Sequence, residues 1–402
     1  MKKAPKIRIK GFEGEWKTCT LSDIATFSKG HGYSKNDLTN KKDATPIILY
    51  GRMYTKYEPI IIKVDTFAYL LPNSILSEGN EVIVPASGET AEDISVASAI
   101  CTKGIIIGGD LNILKPKEGI FAPFLALNIT YSHAHYELSK KAQGKTIVHL
   151  HNDDFKDVHV CYPTLSEQHA IATYFHRIDS LIETADKKIA SLKQVKEASL
   201  QSMFPKEGQK VPEVRFKGFE GEWKIDELGN LFTERVESDV FAEMLSVTQS
   251  QGIIKANENG RYDNSNNDKS KYRLVKVGDI AYNSMRMWQG ASGYSPYYGI
   301  VSPAYTVVVP NNNVDSCFFA YMFKTAIMIK QFRLHSQGLT TDTWNLKFPA
   351  FSKIVVTYPA DKAEQRKIAS FFVHLDKQIA IAQQRLDLLR RIKSACLDEM
   401  FV

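Results

Sequence analysis

From Glu167 to Phe204 the chain reads EQHAIATYFHRIDSLIETADKKIASLKQVKEASLQSMF, and from Glu364 to Phe401 it reads EQRKIASFFVHLDKQIAIAQQRLDLLRRIKSACLDEMF. The two stretches align without a gap, 197 residues apart, and 14 of their 38 positions are identical. In the first, Ile171, Phe175, Ile178, Ile182, Ala185, Ile189 and Leu192 alternate steps of four and three. In the second, Ile368, Phe372, Leu375, Ile379, Ala382, Leu386 and Leu389 do the same. That spacing lays one apolar seam along a helix and asks for a partner helix. Lys196 and Lys393 follow each seam in phase, ahead of Met203 and Met400. A helix of 38 residues at about 1.5 Å per residue is a rod of roughly 57 Å, longer than a compact domain of about 150 residues needs. The two helices are therefore expected to pair with each other, antiparallel, as a spacer.

A second repeat precedes each helix. The lead motif PKIRIKGFEGEWK (Pro5 to Lys17) returns as PEVRFKGFEGEWK (Pro212 to Lys224), with 10 of 13 positions identical. The order is lead motif, variable block, helix, twice over. Landmarks recur inside the blocks: Gln143-Gly144-Lys145-Thr146 precedes Phe155 and Tyr162-Pro163, and Gln337-Gly338-Leu339-Thr340 precedes Phe351 and Tyr358-Pro359. Elsewhere the blocks diverge, which points to one scaffold carrying two surfaces.

In the first block, β-rich runs at 46–50, 60–64, 81–85, 104–107 and 111–114 alternate with turns and one helix over 121–138. The second has runs at 273–277, 279–282 and 305–309 and a helix over 317–332. The expected fold class is α+β: two β-rich mixed domains with curled sheets, separated by two long helices in an antiparallel coiled coil, with an internal pseudo-two-fold repeat. Pro163 and Pro359 place each helix start just beyond them, with Ser166 or Asp361 as caps. The polar stretch PKEGQKVP from Pro205 is a linker. The expected domains are 1–163 and 212–359, with helices over 164–204 and 360–402 and the linker at 205–211.

A length of 402 residues allows two or three domains. The N-terminus MKKAPKIRIKGF has no apolar h-region, and no apolar run approaches the about 18 residues of a membrane span, so a soluble protein without membrane association is expected. Cys19, Cys101, Cys161, Cys317 and Cys396 are odd in number and never spaced C-x-x-C, which favours a reducing, cytoplasmic home over a disulfide framework or zinc knuckle. A net charge of +6 permits a polyanionic partner without requiring one.

Catalytic signatures are missing. There is no P-loop. Ser295-Pro296-Tyr297-Tyr298 comes near the Asp/Asn/Ser-Pro-Pro-aromatic loop of amino-methyltransferases but lacks the second proline and any glycine-rich turn for a methyl donor, so it reads as a turn. His133-x-His135 and His149-x-His151 lack a third convergent ligand and read as surface histidines; no metal site is expected. Asp153-Asp154 and Glu92-Asp93 read as solvated turns.

What the blocks offer instead is polar, basic loops. In the first, Lys140, Lys141 and Lys145 suit phosphates, while Gln143 and Thr146 beside Gly144 suit base edges. A second loop, PASGETAED from Pro85, adds Ser87, Glu89 and Thr90. In the second block, RLHSQGLTTDTW keeps the Gln-Gly-x-Thr core and supplies Arg333, Gln337, Gly338, Thr340 and Thr341. NSMRMWQG supplies Asn283, Arg286 and Gln289, the latter two suited to bidentate base contacts, with Trp288 stacking or filling core. Different loops on equivalent scaffolds suggest two different readings of DNA.

Over nearly its whole length the chain resembles the specificity (S) subunits of type I restriction-modification systems. The resemblance rests on the KGFEGEW motif before each block, the Gln-Gly-x-Thr loop, the run Phe-x-x-(Val/Ile)-x-Val-x-Tyr-Pro, and the Glu-Gln-x-x-Ile helix start (Glu167, Gln168, Ile171; Glu364, Gln365, Ile368). It implies two target-recognition domains, each reading half of a bipartite site in double-stranded DNA, and a helix pair that fixes the spacer and docks two modification subunits. It also implies that the chain is not itself an enzyme and binds no cofactor. Methyl transfer to adenine N6 from S-adenosylmethionine, and cleavage using ATP and Mg, would belong to the modification and restriction subunits. The alternatives are a stand-alone DNA-binding or scaffolding repeat protein and, behind it, a stand-alone methyltransferase.

Overall fold

The structure is a computed structural model that describes residues 4–41, 43–144, 146–249, 252–259, 268–341 and 343–402. It divides into two units, Met1–Asp186 with Gln384–Val402, and Lys187–Gln383. Each long helix is shared between them, and each unit repeats the same internal plan.

The plan is a sheet with the same strand order in both. In the first unit Ala25–Lys29, Leu111–Pro116, Glu81–Pro85 and Ser98–Ile100 are antiparallel neighbours, and Ile60–Ile61 joins the edge in parallel. In the second, Phe232–Glu234, Tyr305–Pro310, Ile280–Asn283 and Ser292–Tyr294 follow in the same order. The third strand of each is covered on both faces, so residues 82–84 and 280–282 are apolar in succession. Val82 and Val84 pack with Leu125 and Ile129, while Ile83 between them packs with Met53 and Ile107. Ile280 and Tyr282 pack with Phe319 and Phe323, while Ala281 packs with Leu245 and Val275. A buried acid stands at the start of both strands, its charge held by backbone amides in the first unit and by one amide and a guanidinium in the second. Glu81 accepts from the amides of Glu78, Gly79 and Asn80 at 2.6, 3.0 and 3.1 Å. Asp279 accepts from Lys276 N at 2.8 Å and from Arg235 Nε at 2.7 Å.

The single helix expected over 121–138 is two, Ala122–Tyr131 and His133–Lys141, and the one expected over 317–332 is Ser316–Met322 and Ala326–His335. The breaks fall where a hydroxyl caps the second helix: Ser132 Oγ accepts from Ala134 N at 3.1 Å and Thr325 Oγ1 from Met328 N at 3.4 Å. The first long helix, Leu165–Ser202, begins one residue before Ser166, which therefore lies in its first turn. The second, Lys362–Met400, is capped by Asp361, whose Oδ1 accepts from Ala363 N at 2.8 Å.

Within each unit the long helices pack antiparallel along the expected seam. In the first, Ile171 and Phe175 share a cluster with Leu397, Met400 and Phe401; in the second, Met203 and Phe204 share one with Ile368, Phe372 and Leu375. Ile178, Ile189 and Leu386 are buried, and Ile182, Leu192, Ile379 and Leu389 are half-buried. The in-phase lysines cross the seam: Lys393 Nζ lies 2.6 Å from Asp179 Oδ1, and Lys196 Nζ lies 2.5 Å from Asp376 Oδ1. No helix among the described residues is long and apolar enough to cross a membrane.

The lead motifs are what fasten block to helix. Arg8 Nε and Nη2 donate to the two carboxylate oxygens of Glu167, both at 2.7 Å, while Nη1 and Nη2 also donate to Gly14 O and Glu13 O at 2.6 and 3.0 Å. Arg215 does the same with Glu364 at 2.7 and 2.8 Å and with Gly221 O and Glu220 O at 2.6 and 3.2 Å. Beside each carboxylate, a fully buried glutamine binds the block. Gln168 Oε1 accepts from Phe121 N at 2.9 Å and its Nε2 donates to Gly119 O and Pro163 O at 3.1 and 3.0 Å. Gln365 repeats this with Asp315 N, Asn313 O and Pro359 O at 2.7, 3.3 and 2.9 Å.

Glu167 and Glu364 are about as buried as the core leucines, so removing one arginine strands a charge. Arg8→Ala is expected to destabilise its unit by about 3–5 kcal/mol, and Arg8→Ala with Glu167→Gln to recover part of that loss, measured by urea unfolding. Equal losses in the single and double variants would mean that the buried charge is not the cause.

Candidate nucleic-acid interface

In each unit the two loops singled out by sequence are brought together by backbone bonds at the end of the central strand. In the first, Ser87–Gly88 pairs antiparallel with Val148–His149. Leu150 N donates to Ala86 O at 3.1 Å, and Gln143 exchanges two bonds with His149, 3.1 and 2.8 Å, closing a hairpin. In the second, Leu346 N donates to Ser284 O at 2.8 Å, and Gln337 exchanges two bonds with Asn345, 3.0 and 2.8 Å. Gly144 and Gly338 sit at φ +139° and +149°, and a Cβ would fall 1.9 Å from Ile147 O or 2.6 Å from Thr343 O. The Gln-Gly pair is therefore a device of the hairpin's backbone in both units.

On these junctions the side chains differ. In the first unit Gln143, Thr146, Lys140, Glu89 and Thr90 are exposed, and Ser87 and Lys141 are half-buried. Lys145 lies outside the described residues. Lys140 Nζ stands 3.9 Å from the centre of the Tyr136 ring. Lys140 and Lys141 fall in the last turn of their helix, where a cation also complements the helix dipole. Thr90 Oγ1 caps the helix Ala91–Ile94, accepting from Asp93 N at 3.1 Å and donating to Asp93 Oδ2 at 2.7 Å. Ser87 Oγ lies 3.2 Å from His149 Nδ1, and Tyr54 OH donates to Ser87 O at 2.7 Å.

In the second unit Arg286, Gln289, Arg333, Gln337, Gly338, Thr340 and Thr341 line the junction, and Asn283 is half-buried with its Oδ1 accepting from Met285 N at 3.0 Å. Trp288 meets Trp344 edge to face, 5.4 Å between ring centres, and the Arg333 guanidinium lies 5.5 Å over the Trp344 ring. The two loops of this unit are thus joined by side chains as well as by backbone. Lys324 fixes the end of the first loop: its Nζ donates to Ser292 O at 2.8 Å, to Gln249 O at 3.3 Å and to Gly290 O. Gln249 Nε2 in turn donates to Gln289 O at 2.7 Å.

Sequence reading missed Tyr54 and Lys324 as parts of these junctions, since each is remote in sequence from the loop it holds, and assigned no role to Trp344 at the end of RLHSQGLTTDTW. It also took Glu167-Gln168 and Glu364-Gln365 for helix starts, although their pairing with an arginine kept in both lead motifs was visible in the repeat. The other candidates are accounted for locally. Ser295 Oγ and the Tyr297 backbone bond each other in a turn. Asp154 Oδ2 accepts from His151 N at 2.7 Å, and Lys156 pairs with Asp153. His133 faces Glu137, and His135 Nδ1 lies 2.9 Å from Ser95 O. Among the described residues no three His, Cys, Asp or Glu side chains gather as a metal site would require.

Residues 13–194 and 221–391 match the family model described as the type I restriction modification DNA specificity domain. The chain belongs to that family. In fold it is similar to the type I restriction-modification system S subunit from M. genitalium, with 15% identity, 99% of each chain covered and a TM-score of 0.61. It also matches the HsdS subunit from Thermoanaerobacter tengcongensis, with 13% identity, 96% of each chain covered and a TM-score of 0.47. No curated protein sequence matches the chain.

Two outcomes follow from the junction geometry. Gly338→Ala should open the hairpin, seen as faster amide exchange at Gln337 and Asn345 with little change in the urea midpoint of the unit. Burial, with Lys196 nearby, pushes the Lys324 ammonium down to about 8 against Asp376, which opposes the shift. The unfolded lysine keeps its proton to about pH 10.4. Between about pH 8 and 10 the unfolded chain thus binds the extra proton, and the contribution of this site to stability rises with pH. Lys324→Met should lack that rise when urea midpoints at about pH 7.5 and 9.5 are compared with those of the parent.

Proposed function

We propose that the chain is the non-catalytic specificity subunit of a type I restriction-modification complex, in which each unit reads one half of a bipartite site in double-stranded DNA. The observation that carries this reading is the repeated junction. A junction closed by equivalent backbone bonds in both units, on hairpins of different length, presents a glutamine and threonines in both, with an acid and lysines in the first and arginines and tryptophans in the second. Phosphate contacts position a protein on the duplex and base-edge contacts specify the sequence, so a constant frame with variable side chains suits two unlike half-sites. Membership of the DNA specificity family supports the choice of ligand.

In this reading the paired helices set the number of unspecified base pairs between the half-sites and dock two modification subunits. The chain holds no cofactor of its own. S-adenosylmethionine serves the modification subunits, and ATP and Mg serve the restriction subunits, in the cytoplasm.

The test is a competition binding assay with the complex assembled on its methyltransferase subunits, each half-site being scrambled in turn. Arg286→Ala with Gln289→Ala should relax one half-site by about 1–3 kcal/mol per lost bidentate contact and leave the other intact. Lys140→Ala with Lys141→Ala should weaken all sequences alike and flatten the salt dependence. Equal loss of preference at both half-sites on changing Arg286 and Gln289 would refute the assignment of one half-site to each unit.

A further inference from the structure

The hairpins carrying Gln143 and Gln337 are closed in the same manner, by a reciprocal pair of backbone bonds with a glycine at positive φ next to the glutamine, but the closing residues lie six apart in the first (Gln143 and His149) and eight apart in the second (Gln337 and Asn345). Their sequences, QGKTIVH and QGLTTDTWN, keep the glutamine, glycine and threonine and differ between glycine and threonine, Lys145 against Leu339, and at every position beyond that threonine. Side chains common to two readers cannot make them prefer different bases. Side chains that differ between them can.

Leu339 is also the most exposed large apolar residue among those described, at 101% of its reference area. It is held there by a tight turn: Thr340 N donates to Thr343 Oγ1 at 3.1 Å, and that hydroxyl donates back to Thr340 O at 2.9 Å. Its surroundings lean the same way, with Leu334 at 66% and Met285 at 42% exposed on the two loops of the same junction. A leucine presented on a fixed tip gains nothing from water and gains free energy only against an apolar partner. The major-groove edge of DNA offers one such group, the C5-methyl of thymine, and apolar side chains are what read it. A lysine in that place would address phosphate or the O6 and N7 of guanine.

We propose that Leu339 is a specificity-determining residue of the second unit, reading a thymine by apolar contact with its C5-methyl group. The proposal rests on the reading of the chain as a DNA specificity subunit and adds to it the base, the atom and the residue.

The probe is a set of duplexes bearing the complex's own methylation motif, in which each thymine in turn is replaced by deoxyuridine. This removes the methyl group and keeps the base pair. With the complex assembled on its methyltransferase subunits, one replacement, in one half-site, should weaken binding about fourfold, the equivalent of one buried methyl group. Leu339→Ala should weaken binding to the thymine duplex by a similar factor and become indifferent to that same replacement, with the other half-site unchanged.

Indifference of the parent complex to every deoxyuridine would overturn the proposal. So would a Leu339→Ala complex that keeps the full sensitivity, or one that no longer assembles with the methyltransferase subunit, which would make Leu339 a protein contact. A parent complex that binds scrambled duplex as tightly as its motif is a distinct outcome: it removes the DNA-specificity reading itself.

Discussion

A carboxylate buried in the first turn of each long helix is the constraint on which both halves of the molecule depend. Glu167 and Glu364 sit where the helix N-terminus favours negative charge, yet their burial makes that charge costly unless a cation meets it squarely. Arg8 and Arg215 do so with two parallel bonds each, and with their remaining donors they fold the glycine-containing turn of the lead motif around themselves. One guanidinium thus ties lead motif to helix, and the adjacent glutamine ties helix to block. Each lead motif lies against the end of the other helix as well: Lys6 N and Ile7 N donate to Glu399 O in the first unit, and Val214 N donates to Ser202 O in the second.

Fixing each block on its helix in this way leaves the far end of the central strand free to vary. The bonds that hold the two loops there, Leu150 to Ala86 and Leu346 to Ser284, are made by main chain and place no demand on side chains. The scaffold motifs and the side chains exposed at the junction are accordingly different residues. KGFEGEW and Glu-Gln-x-x-Ile do mechanical work, and Gln-Gly-x-Thr is half mechanical, its glycine required by the turn and its tip residue open to change. Lys324 shows how the second unit stabilises its own loop: a buried ammonium collects the carbonyls of Gln249, Gly290 and Ser292. At the matching place in the first unit, Thr130 Oγ1 accepts from Ala97 N at 2.9 Å.

Sequence periodicity was sufficient for the long helices, because a seam of alternating threes and fours sustained over 38 residues fits little besides a paired helix. It was also sufficient for the central strands, whose runs are apolar beyond the acid that opens each. It failed at Ser132 and Thr325, where apolar spacing continues through a capped break and the local cap outweighs the pattern. The loops chosen for their composition are brought together in each unit, but composition could not say how. Thr90 is spent on a helix cap, Asn283 on a turn, and Trp288 on Trp344, while Tyr54 reaches Ser87 from 33 positions away in sequence. Contacts of that range leave no local trace. The Arg8 and Glu167 pair leaves one only because the repeat preserves both partners.

The central claim, two unlike readers on one repeated frame, is tested most directly by sequencing DNA with base-modification detection. The comparison is between cells that carry this chain with its methyltransferase subunit and cells from which the chain alone is removed. The account predicts one bipartite motif, two unrelated specified halves at a fixed spacing, methylated in the first cells and lost in the second. A continuous or palindromic motif that depends on this chain, or a methylation pattern unchanged by its removal, would contradict it.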